Sequence, residues 1–143
     1  MAVWARNTGI DNYPAGNDYR YIAIKSSAVK PGSLEGLATT QAAAGFPCVA
    51  TPDGYNYMLV DTDEGDAAEP FLFVSLNVSD LQAAKSFYCD GLGAKVVAGG
   101  AGTLGTAGSC VLDFVNTEGV LAGGVKLELV QLPAGECAHR VID

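Results

Sequence analysis

The alternation of apolar and polar positions is clearest between residues 69 and 97, EPFLFVSLNVSDLQAAKSFYCDGLGAKVV. Over residues 71–78 the period is two. Val74, Leu76 and Val78 fall on one face and Phe73, Ser75 and Asn77 on the other, in a run rich in β-branched and aromatic residues. The period then lengthens. Ser79 stands where a helix N-cap is wanted and Gln82 follows three residues later, the spacing of a capping box. Leu81, Ala84 and Tyr88 recur at helical spacing, and Gly91 and Gly93 stop the helix. Residues 94–98 return to strand.

The same reading covers the rest of the chain. Residues 1–16 form an irregular arm with Trp4 and Tyr13 as anchors, broken by Pro14 and Gly16. Residues 17–26 predict a strand, with Ile22 and Ile24 facing one way and Tyr21, Ala23 and Lys25 the other. After the turn at Lys30, Pro31 and Gly32, Ser33 is placed to cap a short helix reaching about residue 45. Glu35 sits in its first turn, and Leu34, Leu37, Ala38 and Ala42 share a face. Only one short strand, residues 46–50, then fits before the turn at Pro52, Asp53 and Gly54 and the strand over residues 55–61. Residues 62–70 are an acidic, solvated linker closed by Pro70. Residues 99–108 form a glycine-rich loop, residues 109–115 and 124–131 are the last two strands, and residues 133–143 are a tail without assignment.

A strand ending in V-S-D-L, a helix carrying S-F-Y, and L-G ahead of a new strand resemble the opening of a βαβββ module. That module belongs to the vicinal-oxygen-chelate superfamily, which includes glyoxalase I, extradiol dioxygenases and bleomycin-resistance proteins. VKLELVQL at residues 125–132 resembles the module's last strand, and TPDGYNYMLVD at residues 51–61 the final hairpin of another module. The resemblance implies an α+β fold: two βαβββ-like modules forming a curved mixed sheet with helices on the outer face. It divides the chain into a shortened late-type module, residues 17–61, and an early-type module, residues 71–132. That order reads as a window cut across two domains or as a permuted single domain.

Composition narrows the function classes. The 143 residues carry a net charge of −8 with 8 Lys plus Arg, so the basic stripe that a nucleic-acid surface requires is missing. A hydrophobic fraction of 49% and a mean hydropathy of +0.22 describe a core-forming chain, without an apolar run long enough for a membrane span. Cys48, Cys89, Cys110 and Cys137 are scattered, without a C-x-x-C pair, and read as reduced thiols. The first residues show no charged-then-apolar leader pattern. A soluble protein follows, cytoplasmic if Met1 is the translation start, or plastid or mitochondrial if a presequence was removed.

Alternation assigns an inner, concave set: Tyr21, Ala23, Lys25, Asn56, Met58, Phe73, Ser75, Asn77, Lys126, Glu128 and Val130. A few polar groups on an apolar wall suit a small-molecule pocket, and equally the solvent face of a half-open sheet. The resemblance implies metal ligands on the first and last strand of each module. Those positions here are Tyr21, Met58, Phe73 and Glu128, so Glu128 is the one ligand position that survives. A divalent ion needs three or four N or O donors, and the single histidine, His139, lies in the tail. No metal and no cofactor are expected, and glyoxalase chemistry, which needs the metal to polarise an enediolate, falls with them.

Glu128 is also a candidate general base, or a partner for Lys25 or Lys126, beside the plainer reading of a solvated or salt-bridged face residue. The glycine-rich loop lacks the Lys-Ser/Thr and the following helix of a phosphate site. The expectation is a non-catalytic glyoxalase-like domain serving as a binding or assembly module, as an accessory subunit with a protein partner or self-association. The alternative is a lyase-type enzyme or small-molecule-binding protein that uses the inner face, with metal absent or completed by a partner chain.

Overall fold

The computed structural model describes residues 16–41, 45–52, 54–62, 69–99, 108–115, 118–119 and 124–136. The expected arm anchors Trp4 and Tyr13, most of the acidic linker, nearly all of the glycine-rich loop, Cys137 and His139 lie outside them. The strands are β1 (Tyr19–Lys25), β2 (Ala38–Gln41), β3 (Pro47–Ala50), β4 (Asn56–Val60), β5 (Phe71–Val78), β6 (Lys95–Gly99), β7 (Ser109–Asp113) and β8 (Lys126–Gln131), with the helix α1 (Leu81–Ser86) between β5 and β6. They form one mixed sheet in the order β2-β3-β4-β1-β5-β8-β7-β6. Each half supplies four strands. The halves join where β1 runs antiparallel to β5, and each joining strand pairs in parallel with the last strand of its own half, β1 with β4 and β5 with β8.

The first half departs from expectation. Residues 33–41 do not form a helix. Residues 31–36 are turns, in which Glu35 N–H donates to the Gly32 carbonyl and Leu37 N–H to the Leu34 carbonyl. Gly36 then takes φ +79, a conformation that ends any helix. Beyond it Thr39 and Thr40, β-branched and adjacent, pair with Val49 and Cys48 across the β2–β3 ladder. Two strands, β2 and β3, rather than one therefore lie between Gly36 and the turn at Gly54, and what this half lacks among the described residues is its α-helix.

The second half follows its pattern closely. Leu76, Val78, Leu127, Leu129, Cys110 and Leu112 line the outer face and meet Leu81, Ala84 and Tyr88 of the helical segment in one apolar cluster. The cap is displaced by one residue from Ser79. Asp80 is the N-cap and its carboxylate accepts from Ala83 N–H at 2.9 Å, an interaction worth about 1 kcal/mol. The Ser79–Gln82 box is not the device used. Gln131 at the end of β8 does that work instead: its Oε1 accepts from Leu81 N–H at 2.7 Å and its Nε2 donates to the Ser79 carbonyl at 2.6 Å. The helix widens into a π-turn over Phe87–Gly91, and Gly93 at φ +73 releases the chain into β6.

Two bulges shape the middle of the sheet. The β1–β5 register changes between Tyr19 and Tyr21, where β1 carries an extra residue, Arg20. It changes again between Ala23 and Ile24, where the extra residue is Leu72 on β5. A bulged residue shares its face with a neighbour instead of alternating. Leu72 accordingly packs beside Phe73 against the inner cluster of Ala23, Met58, Val60 and Phe73, to which Tyr21 and Phe46 also belong.

Candidate functional site

Ser75 is the cross-strand partner of both Tyr21 and Glu128, which places the three in one row on the inner face of the sheet. Parallel pairing of β5 with β8 brings Ser75 and Glu128 side by side although 53 residues separate them. The Ser75 hydroxyl donates to Glu128 Oε2 at 2.5 Å, and the Tyr21 hydroxyl donates to the same oxygen at 2.9 Å. Glu128 is 1% exposed and Ser75 0%. Glu128 Oε1 is buried and has no hydrogen-bond partner among the described residues. The solvated-face reading of Glu128 is thus overturned: the strand leucines around it belong to the outer cluster, while the carboxylate points inward and is gripped by two hydroxyls.

Burial and the neighbouring Glu128 carboxylate push the Tyr21 phenol up to about 12, with Arg20 acting in the opposite sense. Its guanidinium carbon stands 5.2 Å from the centre of the Tyr21 ring. Arg20 escaped the sequence reading because strict alternation puts it on the outer face. The bulge turns it inward, and only the β1–β5 register reveals that.

The remaining candidates separate by role. Met58 and Phe73, each 1% exposed, are core residues with Ala23 and Val60. Asn56 donates from Nδ2 to the Arg20 carbonyl at 3.3 Å, and Asn77 from Nδ2 to the Asn17 carbonyl at 2.6 Å, so both side chains brace the backbone. Lys25 is buried at the end of β1, and Lys126 pairs in register with Phe73. A groove of about 440 Å³ between the turn at Lys30–Glu35 and Leu59 is lined by none of these candidates.

Residues 71–140 match one family model, the Glyoxalase/Bleomycin resistance protein/Dioxygenase superfamily. The chain belongs to this superfamily. Glyoxalase domain-containing protein 4 of Mus musculus is 34% identical over 97 residues, which are 67% of this chain and 32% of that protein. Glyoxalase 1 of Caenorhabditis elegans is 28% identical over 115 residues, 78% of this chain and 40% of the relative. The chain therefore spans about a third to two-fifths of these curated relatives. The crystal structure of glyoxalase I from Zea mays superposes with a TM-score of 0.59 at 22% identity, over 92% of this chain and 48% of that one, a likeness of fold.

The side chains at the four expected ligand positions decide whether this glyoxalase-like domain suits the superfamily's metal. Phe73 offers a phenyl ring and Met58 a thioether, both enclosed in hydrocarbon. The Tyr21 hydroxyl is committed as a donor to Glu128. Among the described residues no group of three or more His, Cys, Asp or Glu could hold an ion. One free carboxylate oxygen is too small a donor set for a borderline or hard divalent cation, so the residues do not fit the group. Among the described residues, no helix is long and apolar enough to cross a membrane.

The alkaline behaviour of Tyr21 gives a test of this geometry. Its folded pKa of about 12 lies above the ordinary phenol value of 10, so the native state holds the proton more tightly than the unfolded chain. The stabilisation is complete below pH 10 and is lost as the pH rises through 12. Tyr19, raised to about 12 chiefly by burial, adds in the same direction. Stability measured by denaturant titration should fall between these two values, and Tyr21→Phe should flatten part of that fall. A pH dependence unchanged in Tyr21→Phe would mean that the phenol does not face the carboxylate.

Proposed function

We propose that this domain is a non-catalytic member of the glyoxalase superfamily that works without a metal ion as a binding or assembly module, in the manner of an accessory subunit. The observation that carries the reading is the packing of Met58 and Phe73 against Ala23 and Val60. Two of the four chelating positions are closed off by hydrocarbon, and a third is a phenol donating to the fourth. Glyoxalase-type lyase chemistry depends on a metal to stabilise the enediolate, which this donor set cannot retain.

Support for the assembly role comes from the β6 side of the sheet. Phe87 is 61% exposed and Leu92 55%, and Val96 and Val97 on the edge strand are also open. Exposed apolar side chains beside a strand edge that is unpaired among the described residues suit contact with another protein or a second copy. A second reading, a lyase whose metal is completed by another chain, draws on the name of the Caenorhabditis elegans relative and on the unpartnered Glu128 Oε1.

Elemental analysis after incubation with Zn²⁺, Ni²⁺ or Fe²⁺, with a methylglyoxal–glutathione assay, separates the two. Substoichiometric metal and no turnover are expected. One equivalent of tightly held metal together with turnover would overturn the proposal.

A further inference from the structure

Two buried polar atoms lack partners among the described side chains, Glu128 Oε1 and Arg20 Nη1. They belong to opposite charges, and both residues touch the same tyrosine. Tyr21 donates its hydroxyl to Glu128 Oε2 at 2.9 Å, and its ring lies 5.2 Å from the Arg20 guanidinium carbon. The two unsatisfied atoms do not satisfy each other.

Arg20 faces the inner side for a structural reason, the bulge between Tyr19 and Tyr21. The guanidinium carbon accordingly lies over the ring of Tyr21, a residue packed against the inner cluster. A buried donor or acceptor left unmade costs about 1–3 kcal/mol, more for a charged group, so native chains rarely carry two in one place without a use.

We propose that Arg20, Tyr21 and Glu128 form a binding site for a small organic acid that also carries a hydroxyl. Its carboxylate meets the Arg20 guanidinium, its hydroxyl donates to Glu128 Oε1, and the Tyr21 ring forms the wall between them. Guanidinium selects carboxylate or phosphate by charge-assisted hydrogen bonds. The neighbouring Glu128 carboxylate disfavours the doubly charged phosphate, which leaves the singly charged acid. The hydroxyl requirement follows from Oε1, which can only be satisfied by a donor. This site rests on the metal-free reading above, since an ion on Glu128 would occupy the same oxygen.

The test is calorimetric titration of the metal-stripped full chain, in EDTA, with glycolate and γ-hydroxybutyrate as hydroxy acids of short and long spacing. Acetate and butyrate lack the hydroxyl, and ethylene glycol lacks the carboxylate. At least one hydroxy acid should bind at one equivalent, about tenfold or more tighter than its deoxy counterpart, with no binding of the diol. Arg20→Gln and Glu128→Gln should each weaken that binding by about tenfold or more while circular dichroism shows the fold retained.

Equal binding of hydroxy and deoxy acids would overturn the role of Glu128. Absence of binding by either hydroxy acid would overturn the site and leave the metal-free reading standing. Binding that appears only after Zn²⁺ is restored would overturn both.

Discussion

Replacing Phe73 by alanine is expected to destabilise the domain by about 3–5 kcal/mol, the range for removing a buried aromatic ring from a core. Phe73 is 1% exposed, packs with Ala23, Met58 and Val60, and stands edge-on to Tyr21 with ring centres 6.1 Å apart and planes at 66°. An edge-to-face pair of this kind adds about 0.5–1.5 kcal/mol beyond the area buried. The ring lies at the junction of the halves, on the strand that pairs with both β1 and β8. Truncation therefore loosens Tyr21 as well, and through it the grip on Glu128. Urea unfolding should show a large drop in midpoint with little change in slope. A loss below about 1 kcal/mol would mean that the inner face is open at this point instead of packed, and the argument against a metal would lose its footing.

How much of this was legible in the sequence differs between the halves for physical reasons. In the second half, period, glycine stops and β-branched content all agree, so β5, α1, β7 and β8 lie within a few residues of expectation and the outer leucines meet the helix. In the first half the helical spacing of Leu34, Leu37, Ala38 and Ala42 competes with Gly36 and with Thr39 and Thr40. The backbone conformation of Gly36 and the pairing with β3 win. The helix cap misled by one position because Ser79 and Asp80 are both good caps, and the choice is made by Gln131, 51 residues beyond Asp80, which no local pattern includes.

The candidate site was half visible. Alternation put Tyr21, Ser75 and Glu128 on one face, and the parallel register of β5 with β8 makes them neighbours. What alternation cannot supply is the bulge. The run Tyr19, Arg20, Tyr21 alternates aromatic and charged residues, so nothing in it signals that Arg20 turns inward. Asn56 and Asn77 show the opposite failure: they lie on the expected strands, but their amides are spent on backbone carbonyls.

Glu128→Ala is expected to cost about 2–4 kcal/mol, and the cost should reside in the partners as much as in the carboxylate. The substitution removes the carboxylate oxygen that accepts from both the Ser75 hydroxyl, 0% exposed, and the Tyr21 hydroxyl. Each orphaned buried hydroxyl is worth about 1–3 kcal/mol, while removing both partners of a hydrogen bond is close to neutral. A specific pattern follows. Ser75→Ala or Tyr21→Phe in the Glu128→Ala background should cost less than in the wild type, with a coupling of about 0.5–3 kcal/mol in each double-mutant cycle. Glu128→Gln, which keeps an acceptor oxygen at the same reach, should retain most of the stability. These cycles are read by denaturant unfolding at neutral pH, where the Tyr21 phenol carries its proton in the folded state. If Glu128→Ala instead falls within about 0.5 kcal/mol of wild type and the cycles show no coupling, the carboxylate faces solvent and the row of Tyr21, Ser75 and Glu128 is not a unit.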